Sequence, residues 1–140
     1  MMYMVFQIGD EIIKCTARTI TKHVHEVSNN SFIGHIGGDD FVAIIQKCDY
    51  EKLCRDTIEE FDRLVPNYYN EEDVERGFVE VANRKGIIEE FPVVTISIGV
   101  VEVGNENYKT PLEIGEISAQ VKHRAKTILG SSYVVNRRRF

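Results

Sequence analysis

A chain of 140 residues, 43% hydrophobic and 28% charged, has the composition of a soluble globular protein and the length of one domain, residues 1–140. No apolar run nears the roughly 20 residues that cross a bilayer. The start, MMYMVFQIGDEIIK, lacks the basic flank and long apolar stretch of a secretory signal, which predicts a cytoplasmic protein with no membrane segment. A net charge of −5 opposes attraction to nucleic-acid backbones, and three cysteines without a CxxC pair (Cys15, Cys48, Cys54) argue for reduced thiols over a zinc or redox centre.

Apolar residues at Ile13, Ala17, Ile20, Val24 and Val27 follow helical spacing and predict a first helix over 9–27. Within it His23 and His25 are two apart and face different directions, so they do not make a joint metal pair. Two short β-rich runs, 31–36 and 41–46, flank Gly37, Gly38, Asp39 and Asp40, a composition that favours a tight hairpin. Leu53, Ile58, Phe61 and Leu64 or Val65 predict a second helix over 50–65, stopped by Pro66.

Residues 67–92 read as an excursion from the core: a polar stretch, then a small hairpin around Lys85 and Gly86. The run FPVVTISIGVVEV, 91–103, is dense in β-branched residues and predicts a strand near the sheet centre. After a polar loop, Leu112, Ile117, Val121, Ala125 and Ile128 predict a third helix ended by Gly130, and 132–135 form a last short strand. This order is that of an α+β sandwich, with helices covering a mainly antiparallel sheet.

The Gly-Gly-Asp-Asp turn carries the chemistry. Glycines let the backbone approach a phosphate and paired carboxylates hold a hard divalent cation. The same four residues also make an ordinary turn, with glycine supplying positive φ and aspartate bonding its own backbone.

The stretch FIGHIGGDDFVAII, 32–45, resembles the signature of the GGDEF family. Three more blocks agree in order and spacing: FQIGDEII at 6–13 with a Gly-Asp helix start, VTISIGV at 94–100, and ISAQVKHRAKTILGSSYVV at 117–135 with its Ala125-Lys126 pair. The resemblance implies a palm-like, ferredoxin-like sheet with packed helices. It also implies bacterial signal transduction by diguanylate cyclase chemistry, in which two GTP-loaded domains join their substrates into cyclic di-GMP with the help of Mg2+ or Mn2+. By that resemblance Asp39 is a metal ligand and catalytic acid, and Asp40 the second catalytic acid. Gly37 and Gly38 give room to the phosphates, Asp10 accepts from the guanine edge and Lys126 meets the terminal phosphates. Helix capping rivals guanine binding for Asp10, and the helix dipole accounts equally for Lys126.

Departures from the family pattern set further expectations. Family cyclases begin with a strand bearing a metal-binding aspartate and a helix. Neither is legible here, which predicts an N-terminally truncated, partly degenerate domain. Counting back from Gly9 and Asp10, the guanine-binding asparagine falls on Met1. Asp40 replaces a glutamate, Ser131 stands where a basic residue is usual, and the product-inhibition pair falls on Ser28 and Ser31. A chain built this way is expected to be inactive alone. The alternative is a non-catalytic module that binds GTP or other proteins, and a longer version would carry an upstream sensory or receiver domain. Without a first strand, a slot opens between strands 41–46 and 93–101, which predicts homodimeric association through an exposed sheet edge.

Overall fold

The computed structural model describes residues 2–7, 12–37, 40–46, 48–104 and 110–136. Its elements run β1 (Met2–Gln7), α1 (Ile13–Val27), β2 (Ser31–Gly37), β3 (Asp40–Ile45), α2 (Tyr50–Leu64), α3 (Glu71–Arg76), β4 (Phe78–Ala82), β5 (Ile88–Pro92), β6 (Ser97–Glu102), α4 (Pro111–Lys126) and β7 (Ser132–Asn136). Five strands form one sheet in the order β2-β3-β1-β6-β7, and β4 and β5 form a separate two-stranded sheet.

β1 pairs antiparallel with both β3 and β6. β1 and β2 therefore run parallel with β3 between them, and β3 and β6 run parallel with β1 between them. Each parallel pair is joined through a helix, the split βαβ arrangement of ferredoxin-like sheets. The α+β, palm-like architecture expected from the sequence is the one observed.

One detail of that expectation is overturned. The slot between β3 and the apolar strand is filled, because MYMVFQ, the chain's own first residues, forms the central strand. The spacing of apolar residues marks no element before Gly9. Yet six residues are an ordinary strand length, and their β-branched, aromatic and long apolar side chains suit a central position. With the slot filled, the reason given for edge-to-edge association disappears.

Two layers of helix flank the sheet. Inward residues of β3 and β6, Phe41, Ala43, Ile45, Ile98 and Val100, pack with Ile20 and Val24 of α1 and Leu53, Cys54 and Phe61 of α2. Each large apolar side chain fully buried there stabilises by about 1.5–3 kcal/mol relative to exposure. On the other face Val101 packs with Ile117 and Val121 of α4.

Local chemistry fixes the helix starts. Asp49 accepts from the Lys52 N–H (3.1 Å) at the head of α2, and Thr110 accepts from the Glu113 N–H (3.2 Å) at the head of α4, where Pro111 occupies the first turn. The predicted strand over 91–103 divides: 91–92 close β5, 93–96 are irregular, and β6 begins only at Ser97. The short helix α3 was not legible because its six residues, EEDVER, carry no apolar stripe; Asn70 caps it and Gly77, at φ 83°, ends it. Among the described residues no helix is long and apolar enough to cross a membrane.

Candidate functional site at the hairpin end

The β2-β3 hairpin ends in the register pair Gly37 and Asp40, with an irregularity between His35 and Gly37. Asp10, Gly38 and Asp39 lie outside the described residues. Phe41 anchors the hairpin: its ring is buried and stacks on His35 with centroids 4.5 Å apart. Strand alternation sends the preceding residue, Asp40, to the opposite face, which α4 covers.

There Asp40 Oδ1 is buried, accepts no hydrogen bond, and lies 3.7 Å from Lys122 Nζ of α4. Gly99 makes this approach possible. A Cβ at that position would sit 3.1 Å from the Lys122 backbone nitrogen, a tight contact that glycine avoids as α4 lies close to β6. Sequence reasoning missed Lys122. The available signal was its position one helical turn before Lys126 on the same face.

Asp40 heads a row that crosses the sheet at this end. It stands opposite Gln7 of β1, Gln7 opposite Ser97 of β6, and Ser97 opposite Ser132 of β7. Lys126, in the last turn of α4, is exposed. It lies at the same end, since the neighbouring Ala125 carbonyl accepts from Ser132 Oγ at 3.0 Å. The structure thus brings Gly37, Asp40 and Lys126 to one end of the sheet, and it is Lys122 whose ammonium meets the acid.

Ser131 has its own work. Its hydroxyl donates to Asp62 Oδ1 (2.5 Å) and accepts from the Ile96 N–H (3.1 Å), tying α2 to the segments entering β6 and β7. Ser28 makes turn bonds with Asn30. Ser31 lines an open groove of 410 Å³ between α1 and β2, together with Thr21, His25, His35 and Phe41. Among the described residues no carboxylate, lysine or arginine lines that groove.

A hard divalent cation takes six or more oxygen ligands or waters, usually anchored by more than one carboxylate. At the hairpin end β1 supplies Gln7 opposite Asp40, its six residues contain no acid, and the Asp40 carboxylate already faces an ammonium. Asp40 by itself therefore does not supply the donor set for Mg2+ or Mn2+, and Asp39 lies outside the described residues.

No family model matches the sequence and no curated protein matches it. Solved structures do. The active GGEEF domain of a diguanylate cyclase from Vibrio cholerae aligns with 99% of this chain and 83% of its own, at 12% identity and a TM-score of 0.60. A GGDEF domain from Pseudomonas aeruginosa aligns with 99% and 84%, at 13% identity and 0.54. The GGDEF domain of a Caulobacter crescentus protein, solved in complex with c-di-GMP, aligns with 96% and 77%, at 10% identity and 0.51. The chain has the fold of the GGDEF domains of diguanylate cyclases.

Proposed function

We propose that this chain is a GGDEF-type signalling domain that works by binding, without diguanylate cyclase turnover of its own. One observation carries the reading: the central strand β1 places Gln7, and no acid, opposite Asp40 at the hairpin end. The 3.7 Å approach of Lys122 to Asp40 supports it, since an ammonium stands where a catalytic acid would need a free carboxylate. GTP is the ligand the family resemblance offers. Its phosphates would lie against Gly37 and Gly38 near Lys126, with a cation, if one enters, at Asp39.

The test is incubation with GTP and Mg2+ or Mn2+ followed by chromatography for cyclic di-GMP. No product is expected, and robust turnover would overturn the proposal. Calorimetric titration with GTP then separates a nucleotide binder from a domain that binds proteins alone.

Protein binding is the second reading, favoured by the exposed apolar side chains Val81, Ile87, Ile88 and Phe91 on the β4-β5 hairpin. A fold relative from Pseudomonas aeruginosa was solved in complex with its activator protein.

A further inference from the structure

Away from the hairpin end, α1 and α2 enclose a group of side chains that the proposed function does not use. His23, on the buried face of α1, is 8% exposed. Its Nδ1 lies 3.3 Å from Glu26 Oε2, one turn further along α1. Its Nε2 lies 3.0 Å from Glu60 Oε2 of α2. Asp56, one turn before Glu60, completes a set in which the ligand atoms of His23, Glu26 and Asp56 all fall within 4.8 Å of one another.

We propose that His23, Glu26 and Asp56 form a binding site for a divalent transition ion of the zinc type, bridging α1 and α2, with Glu60 as its positioning residue. Zinc bonds to imidazole nitrogen and carboxylate oxygen are about 2.0–2.2 Å long, so two ligand atoms of a tetrahedral site stand about 3.3–3.6 Å apart. The His23–Glu26 separation, 3.3 Å, lies at the short end of that range. Three protein ligands leave the fourth position to water.

Glu60 completes the arrangement from outside. A histidine that binds metal usually gives its other ring nitrogen to a carboxylate, which fixes the tautomer and orients the ring. Glu60 is placed to do this, and is itself held by Lys22 Nζ at 2.7 Å and Arg63 at 3.5 Å. A nitrogen-and-carboxylate set of this kind suits zinc or cobalt better than magnesium, which prefers oxygen and water. Asp56 is now bonded to Lys52 Nζ at 2.7 Å, and the lysine side chain is half exposed, so it can swing into water when an ion enters.

The test is titration of the metal-free chain with Co2+, followed in the visible spectrum, and with Zn2+, followed by calorimetry. One ion per chain is expected, with tetrahedral cobalt bands and no thiolate charge-transfer band, which excludes the cysteines as ligands. Asp56→Ala, on the helix surface, should weaken binding at least tenfold, and His23→Gln should abolish it. Glu60→Gln should weaken it by about 10–100-fold, as outer-shell changes do. Lys52→Ala, which releases Asp56, should tighten it, an effect that a loss of folding cannot imitate. His123→Gln, on the exposed face of α4, should change nothing. Absence of cobalt bands, or binding unaltered in both Asp56→Ala and Lys52→Ala, would overturn the site and leave an ion-pair network between two helices.

Discussion

Lys122 Nζ reaches across the sheet end to within 3.7 Å of Asp40 Oδ1, joining α4 to the first residue of β3. Both side chains keep partial contact with water, so the pair is worth the modest sum of a surface ion pair. A double-mutant cycle with Lys122→Met and Asp40→Asn should give a coupling of about 0.5–1 kcal/mol in urea unfolding, reduced by salt. Coupling indistinguishable from zero at low salt would show that the two groups do not interact in solution.

Gly99 holds that relationship in place. In Gly99→Ala the new methyl would meet the Lys122 nitrogen at 3.1 Å and Val121 Cγ1 at 3.2 Å, so α4 would have to shift from β6 by a few tenths of an ångström. Overpacking of this sort costs about 1–3 kcal/mol. Thermal or urea unfolding should record the loss, and the Lys122–Asp40 coupling should fall in the same variant. An alanine variant as stable as the parent would mean that α4 is not seated as described.

The central place of β1 gives a sharper test. Its residues pair on both sides, Val5 for example with Val42 of β3 and Gly99 of β6. Deleting residues 2–7 would strip both neighbours of partners, at about 1–3 kcal/mol for each buried backbone group left unpaired. The intact chain should scatter light as a monomer at low concentration, and the shortened one should aggregate or lose cooperative unfolding. A shortened chain that stays monomeric with unchanged circular dichroism would refute the strand order.

This strand also marks where the sequence stopped being legible. Ile20, Val24, Leu53 and Phe61 announced α1 and α2 by their spacing, and all four are buried in the core. The hairpin was equally plain from Gly37 to Asp40. β1 was hidden because six residues show no period of their own; only pairing with β3 and β6 gives them a structure. In the site, Asp40 was legible from the motif, whereas Lys122 was marked only by its place one turn before Lys126, and that spacing does not tell which of the two lysines will reach β3. The His23–Glu60 contact joins residues 37 apart in sequence, a distance at which no motif in one chain speaks.

Should the chain bind GTP with magnesium, the resemblance assigns the cation to Asp39 and the guanine to Asp10. Asp39→Asn should then weaken magnesium-dependent binding more than Asp10→Asn, as read by calorimetry with and without the metal. Equal losses, or none, would argue against a phosphate site at the hairpin tip.

Acid should loosen the contact between α1 and α2. The hydrogen bond from Lys22, aided by the nearby charge of His23, outweighs the effect of burial and holds the Glu60 carboxyl below the ordinary glutamate range. The folded chain therefore releases this proton more readily than the unfolded chain does. Between the lowered value and the ordinary one, the unfolded state binds more protons, so stability rises with pH across that window. The contribution is complete above the ordinary glutamate range and is lost as pH falls through the lowered value. Asp56, held down by Lys52, adds a dependence of the same sign. Unfolding midpoints measured across the acid range should fall less steeply in Glu60→Gln than in the parent, and the two profiles should converge at the acid end. Parallel profiles would show that Glu60 has the same proton affinity folded and unfolded, and that its bonds to Lys22 and His23 do not persist in solution.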